Sequence, residues 1–160
     1  MKKIFQAILV SFILLLLSPC MAHAAANPSY MSTAVEENGY YIETIITDAT
    51  PNNQTIFMYA ASNSTTKTKT TYIKDANGNI LWYVSITATF TYDGNTSQCT
   101  SCSHNAISIA SSWEIKSSSS SKSGNSATAT ATATHKGILG ISQDYTESVT
   151  IECSPSGVVS

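Results

Sequence analysis

The thirteen residues 80–92, which read ILWYVSITATFTY, decide the fold of this chain. Every even position carries an apolar side chain, and from position 85 onward every odd position carries serine or threonine. Successive side chains of a β-strand point to opposite faces, so this alternation predicts a long strand with one buried and one solvated face. Turn residues flank it, DANGN at 75–79 and DGN at 93–95, and they predict a hairpin on each side.

The first hairpin sets a register with the preceding strand. A two-residue loop at 77–78 places Ile73 opposite Trp82 and Tyr72 opposite Tyr83. Both are favourable cross-strand pairs, because large apolar or aromatic side chains meet on the same face.

The second hairpin sets a register with the following strand. A two-residue loop at 93–94 pairs Ala88 with Cys99. Ile107 and Ile109 share the parity of Cys99, so this register turns both isoleucines toward the core. Loop length and apolar pattern therefore favour the same inward face.

Alternation continues in the second half of the chain. Residues 127–134 read ATATATAT, which predicts a strand whose alanine side is shallow enough to receive large side chains from an opposing sheet. The serine run 117–121 is interpreted as a hairpin arm, with an interdomain linker as the alternative. Seven or eight short strands predict an all-β fold, an antiparallel sandwich or a barrel, in a single domain over 40–160. A flexible arm is expected over 27–39.

The first 24 residues are predicted to be a secretory signal peptide. A lysine pair precedes the apolar run 4–17, and small residues follow at 22–26. Cleavage after Ala24 or after Ala26 fits the pattern equally well. The apolar run is shorter than the roughly 20 residues that a membrane span needs. We therefore expect a secreted protein with no membrane span in the mature chain.

Composition limits the classes of partner. The chain is 42% hydrophobic and 11% charged, and it contains no arginine. Removing the signal peptide leaves six lysines against ten carboxylates, a net charge of −4. Nucleic acids and anionic lipid surfaces bind clusters of lysine and arginine, so we expect neither as a partner.

The mature chain has an odd number of cysteines, Cys99, Cys102 and Cys153, in an oxidising compartment. Strand parity puts Cys99 and Cys153 on the core face and predicts a disulfide between them. Cys102 is placed on the wet side, opposite Ser85, as a free thiol or an intermolecular link. Cys20 is expected to leave with the signal peptide, with lipidation as the alternative.

A metal or redox site is the competing interpretation of these cysteines. Cys99 and Cys102 form a Cys-x-x-Cys pair, with His104 and Cys153 as further candidates. One such pair is a weak zinc signal, and thioredoxin-type chemistry requires the pair at the start of a helix. We therefore expect no metal and no cofactor.

The aromatic residues offer two candidate contact surfaces. Trp82 and Trp113 can join Tyr83 and Tyr145 as a platform for sugar rings, although alternation favours core positions for both tryptophans. Leu81 and Tyr83 interrupt the hydroxyl face of their strand and mark a possible contact patch.

Motifs for catalysis are absent from the sequence. His104 and His135 are the two mature histidines, and neither lies in a nucleophile-elbow or zinc-protease motif. A triad assembled in space is the remaining route to hydrolysis. DANGN at 75–79 imitates the start of a calcium loop, but its glycine falls at the fourth position instead of the sixth.

Three segments carry a family resemblance: KDANGNILWYVSITATFTYDG at 74–94, the WEIKS and KSGNSA motifs within 113–127, and VTIEC at 149–153. In these segments the chain resembles a group of small, uncharacterised secreted proteins of Gram-positive bacteria. The resemblance spans roughly residues 40–160. It implies an exported β-domain and carries over no catalytic residue.

A looser resemblance is to the immunoglobulin sandwich. Cys99, Trp113 and Cys153 follow its Cys…Trp…Cys order. Ile151 stands where that fold has its corner tyrosine, so the resemblance implies a sandwich and leaves the strand order open.

The first function hypothesis is a non-enzymatic extracellular binding or structural module that binds or decorates the cell envelope or the matrix, with a cell-wall polymer or a surface glycan as the candidate partner. It rests on export together with hydroxyl-rich strands. The alternatives are a secreted effector or antagonist that acts on neighbouring cells, and a hydrolase whose site is assembled only in space.

Overall fold

The computed structural model describes residues 39–49, 63–137 and 140–160, together with the backbone of residues 30–37. This part of the chain forms eight strands. They are β1 (Tyr30–Glu37), β2 (Tyr40–Asp48), β3 (Asn63–Lys74), β4 (Ile80–Tyr92), β5 (Ser97–Ser108), β6 (Trp113–Ser123), β7 (Ser126–Lys136) and β8 (Ser142–Glu152). The prediction of an all-β, antiparallel sandwich is confirmed.

Strand order follows chain order in both sheets. One sheet has five strands in the order β1-β2-β3-β4-β5, and the other has three in the order β6-β7-β8. Every neighbouring pair is antiparallel. Both sheets are therefore meanders. Immunoglobulin domains use Greek-key connections, so the resemblance to them extends to two packed sheets and not to strand order.

The described residues form one buried cluster between the sheets. β4 contributes its even-numbered side chains, Trp82, Val84, Ile86, Ala88 and Phe90. The smaller sheet contributes Trp113, Ala127, Ala129, Ala131, Ala133, Val149 and Ile151. β7 lies over β4, β6 over β5, and β8 over β3 and β4. The shallow alanine side expected for β7 is thus the side that meets the large residues of β4.

The predicted register of β3 on β4 is confirmed. Ile73 lies opposite Trp82, and Tyr72 lies opposite Tyr83. The turn differs from the two-residue loop, because the Asp75 N–H donates to the Asn79 carbonyl at 3.0 Å and closes a wider loop. A bulge just before the turn absorbs the difference, so the strand pairing is unchanged.

The predicted register of β5 on β4 is wrong at its start. The Asp93 N–H donates to the Thr96 carbonyl, and Asp93 Oδ1 accepts the Thr96 N–H at 2.7 Å. This turn is two residues longer than the predicted loop, so Tyr92 pairs with Ser97. A shift of two keeps the parity, and Cys99 faces the core as predicted, opposite Phe90.

A bulge then reverses the parity of β5. Cys99 and Ser101 lie opposite consecutive residues of β4, which makes Thr100 the additional residue. Beyond Thr100, every side chain of β5 points to the face opposite the predicted one. Ile107 is 38% exposed and Ile109 is 59% exposed, so the expectation that both isoleucines face the core is wrong.

The strand boundaries agree with the expectation at the serine run and differ from it at the N-terminal arm. The serine run 117–121 lies within β6, as the hairpin interpretation predicted. β1 lies within the stretch 27–39 that was expected to be an arm, and it pairs with β2. The predicted signal peptide, residues 1–24, and Cys20 lie outside the described residues.

Two aspartates hold the turns on either side of β4. Asp75 accepts hydrogen bonds from the Asn79 side chain and the Asn79 and Asn77 N–H groups, and these lower the pKa of its carboxyl. Asp93 accepts from the Thr96 and Asn95 N–H groups, which lowers its pKa in the same way.

We expect these two turns to make stability depend on pH in the acid range. A carboxyl whose pKa is lower in the folded than in the unfolded state stabilises the fold above its unfolded pKa, about 4 for aspartate, and loses this contribution as the pH falls through the folded value. The variant D75N/D93N should lose stability less steeply than wild type between about pH 5 and pH 2. Urea unfolding across this range measures both slopes; equal slopes would contradict the assignment.

Candidate binding surface

The outer face of the five-stranded sheet carries rows of hydroxyl-bearing side chains. Residues directly opposite one another on β3, β4 and β5 form three rows: Thr66–Thr89–Ser101, Thr68–Thr87–Ser103 and Thr70–Ser85–Asn105. In the third row Ser85 is buried, and Asn105 contributes an amide in place of a hydroxyl. The hydroxyls of Thr66 and Thr89 hydrogen-bond each other at 2.9 Å, and those of Thr68 and Thr87 at 2.8 Å. Neighbouring strands lie about 4.8 Å apart and alternate residues about 6.7 Å apart, so the polar groups form a regular lattice.

An aromatic row continues this lattice toward the β3–β4 turn. Tyr72, Tyr83 and Ile107 lie opposite one another, and the two tyrosine rings are 5.6 Å apart with their planes at 54°. Lys74 lies 6.0 Å from the Tyr72 ring centre and forms an ion pair with Glu43, so charge at this end is balanced. We call the three hydroxyl rows and this aromatic row the four-row face.

The structure separates the two residues of the predicted contact patch. Tyr83 lies in the four-row face beside Tyr72. Leu81 is half-buried and packs against the core cluster, and its carbonyl accepts the Ile109 and Ala110 N–H groups. The predicted register already indicated Tyr72 as the partner of Tyr83. Ile107 was missed, because the bulge in β5 that turns it outward leaves no clear signal in the sequence.

The outer face of the three-stranded sheet is a second hydroxyl lattice. Its rows are Ser117–Thr132–Thr146, Ser119–Thr130–Ser148 and Ser121–Thr128–Thr150. The pairs between β7 and β8 all hydrogen-bond at 2.8 Å. The ion pairs Lys116–Asp144 and Lys136–Glu114 lie at one end of this lattice. The corresponding end of the other sheet carries the aromatic row.

The two histidines have separate surroundings. His104 Nδ1 lies 2.9 Å from Ser120 Oγ, and Nε2 lies 3.2 Å from Ser118 Oγ. A serine hydroxyl therefore occupies the position at which a catalytic triad places a carboxylate. His135 stacks on Trp113, with ring centres 4.9 Å apart. Both predicted core tryptophans, Trp82 and Trp113, are buried.

Cys99 and Cys153 lie on either side of one turn. The Cys99 N–H donates to the Gly124 carbonyl at 2.8 Å, and the Cys153 N–H donates to the adjacent Asn125 carbonyl at 3.0 Å. Both side chains are buried, as predicted, but the structure holds them as free thiols and shows no disulfide among the described cysteines. The Cys99–Cys153 disulfide thus stays a prediction for the oxidised protein.

The placement of Cys102 is corrected. The bulge at Thr100 puts Cys102 opposite Ala88 and against the core cluster, and not opposite Ser85 on the wet side. Burial, and then the neighbouring Cys102 thiol, raise the pKa of Cys99; burial raises the pKa of Cys153.

No group of three or more His, Cys, Asp or Glu side chains in the described part of the chain is arranged to hold a metal ion. Within the same residues, no helix has the length and apolar character needed to cross a membrane.

Comparison with known proteins returns no relative. The chain matches no protein-family model, no curated protein and no solved structure. The resemblance to small secreted proteins of Gram-positive bacteria therefore stays a prediction.

We expect the three described cysteines, Cys99, Cys102 and Cys153, to react with iodoacetamide at different rates in the reduced protein. The thiolate is the reacting form, so a raised pKa and burial both slow Cys99 and Cys153, whereas half-buried Cys102 should be labelled first. Peptide mass spectrometry after timed alkylation at pH 8 measures the order, with C102S as the matched control that should stay unlabelled until the chain unfolds. Labelling of Cys99 or Cys153 as fast as Cys102 would contradict the buried placement.

Proposed function

We propose that this chain is an exported, non-enzymatic module that binds a polyhydroxylated polymer, a cell-wall polymer or a surface glycan, through the four-row face. The single observation that carries the proposal is the joining of a regular hydroxyl lattice to the Tyr72–Tyr83 pair. A glycan chain repeats hydroxyl groups and sugar rings along its length. The hydroxyl rows of the face can exchange hydrogen bonds with the hydroxyl groups of the glycan, and the tyrosine rings can pack against its sugar rings.

The hydroxyls of the lattice are already oriented. In each of the pairs Thr66–Thr89 and Thr68–Thr87, one hydroxyl donates its proton to the other. Each pair therefore keeps one hydroxyl proton and several lone pairs for a ligand. Side chains held by such pairs lose less conformational entropy on binding than freely rotating ones. Each new hydrogen bond contributes only about 0.5–1.5 kcal/mol net, so affinity would come from many contacts along a polymer.

Charge supports a neutral or weakly charged polymer. Lys74, at the aromatic end of the face, is paired with Glu43, and the mature chain carries a net charge of −4. A surface of this kind offers no cluster of free cations for a polyphosphate or a nucleic acid.

Sedimentation with insoluble polymers tests this function. The predicted mature protein should be retained by at least one of peptidoglycan, intact Gram-positive cell wall, chitin or cellulose. The variant Y72S/Y83S, which keeps hydroxyls but loses both rings, should bind at least about tenfold more weakly, the loss expected for about 1.4 kcal/mol.

The matched control is T130A/T132A, which alters the hydroxyl lattice of the other sheet and should bind like wild type. Circular dichroism of each variant should give the wild-type spectrum, as expected of a folded protein. The proposal is overturned if wild type is retained by none of the four polymers, if Y72S/Y83S binds equally well, or if the face is instead occupied by a second copy of the chain in sedimentation velocity.

The hydrolase alternative has one supporting observation, the contact between His104 and Ser120. Release of soluble fragments from the same polymers, abolished by H104A, would favour hydrolysis over simple binding. Inhibition of neighbouring cells by the pure protein would favour the effector alternative.

A further inference from the structure

The bulge in β5 brings two cysteines to the same face of the larger sheet. Cys99 lies opposite Phe90, and Cys102 lies opposite Ala88. Both partners are inward residues of β4, so the two cysteines also face the core. Cys99 is buried there, and Cys102 packs against the core cluster. In a regular strand, residues three positions apart point to opposite faces, so it is the bulge that makes the two side chains neighbours.

The spacing of the two cysteines suits a disulfide. Phe90 and Ala88 are alternate residues of one strand, about 6.7 Å apart, and their partners on β5 have a similar separation. A disulfide joins Cα atoms that are up to about 7 Å apart. Without the bulge, Cys99 and Cys102 would lie about 10 Å apart on opposite faces of the strand, which no disulfide can span.

The side chain of Cys99 is turned toward Cys102. Its Sγ donates to the Ser101 carbonyl at 3.3 Å, and the carbon of that carbonyl is bonded to the Cys102 nitrogen. The Cys102 thiol is also near enough to raise the pKa of Cys99, after the larger effect of burial. The hydrogen bond and the electrostatic interaction both indicate that these two side chains are neighbours.

Cys153 has different surroundings. It follows β8 in the other sheet, and its N–H donates to the Asn125 carbonyl at 3.0 Å. Its Sγ donates to the carbonyl of the next residue, Ser154, at 3.4 Å, and burial is the cause of its raised pKa. Of the two other described thiols, it is therefore Cys102 that the structure places beside Cys99.

We propose that Cys99 and Cys102 form a disulfide that closes the bulge and locks the register of β5. The bridge can exist only while both side chains point inward, so it holds Ser101 and Ile107 on the outer face. This pairing excludes the Cys99–Cys153 disulfide that strand parity predicts, because both bridges use Cys99. The proposal does not depend on the function proposed for the four-row face.

Formation of the bridge needs a disulfide oxidant, for which oxidised glutathione serves. Cys102 reacts first, because it is the least buried of the three described thiols. Its thiolate attacks one sulfur of the oxidant, which gives a mixed disulfide and releases one glutathione thiolate. The Cys99 thiolate then attacks the Cys102 sulfur and displaces the second glutathione thiolate. Two protein thiols are thus oxidised, one glutathione disulfide is reduced, and the two protons pass through solvent to the released thiolates.

Tryptic peptide mapping without reduction tests the pairing. The predicted mature protein is treated with oxidised glutathione, unfolded in guanidinium chloride that contains N-ethylmaleimide, and cleaved after lysine. Cys99 and Cys102 share the peptide 75–116, and Cys153 lies in the peptide 137–160. We expect the first peptide without maleimide and two hydrogen atoms lighter than its reduced form, and the second peptide with one maleimide.

The matched control is C153S, which should give the same oxidised peptide 75–116, whereas C102S should leave Cys99 and Cys153 both alkylated. Hydrogen exchange reports the register, because amides of β5 should exchange severalfold more slowly in the oxidised than in the reduced protein. The proposal is overturned if peptide 75–116 is linked to 137–160 or to a second copy of itself, or if both of its cysteines stay alkylated. Equal exchange of β5 in the two redox states would also overturn it.

Discussion

The two sheets can approach each other because the inward side of β7 is made of alanine. Ala127, Ala129, Ala131 and Ala133 are buried and lie under the inward side of β4. That side carries Trp82 and Phe90, and aromatic side chains bury roughly 150–250 Å² each. Stacked sheets lie about 10 Å apart, which leaves too little room for large side chains from both. Large residues on one strand and methyl groups on the other therefore share the space between the sheets.

The same alternation produces the outer surfaces. Threonines alternate with the alanines of β7. In β4, the odd positions from Ser85 to Thr91 likewise carry serine or threonine between the inward side chains. Because side chains alternate with a period of two, fixing the inward set also fixes the outward set, and a slip by one residue would exchange them. The hydroxyl rows therefore follow from the packing of the core. The bulge at Thr100 shows the rule at work, since one additional residue moves Ile107 from the inner to the outer face.

Local signals in the sequence were sufficient for part of this structure. The long alternating strand, its pairing with β3 and the alanine side of β7 could all be predicted, because each depends on a period of two and a nearby turn. The register of β5 could not, since it depends on the hydrogen bonds of Asp93 and on one bulge. Because the predicted register lacked this bulge, it placed Cys102, Ile107 and Ile109 on the wrong faces of the sheet.

The candidate sites were predictable to the same degree. The Tyr72–Tyr83 pair followed from a hairpin register, so half of the aromatic row was visible in the sequence. The aromatic cluster of Tyr40, Trp113 and Tyr145 brings β2 of one sheet together with β6 and β8 of the other, and such long-range packing leaves no short motif. The sequence indicated a buried Trp82 correctly, but only the structure shows that its N–H lacks a partner among the described residues.

The most direct test of this account is whether the alanines of β7 face the aromatic rings of β4. A sample with ¹³C-labelled alanine methyl groups permits a nuclear Overhauser measurement from these methyls to the ring protons of Trp82 and Phe90. The account predicts strong cross-peaks from methyl groups of β7 to both rings. Cross-peaks from those methyls only to residues of β6 and β8 would show that the sheets do not pack in this way and would contradict it.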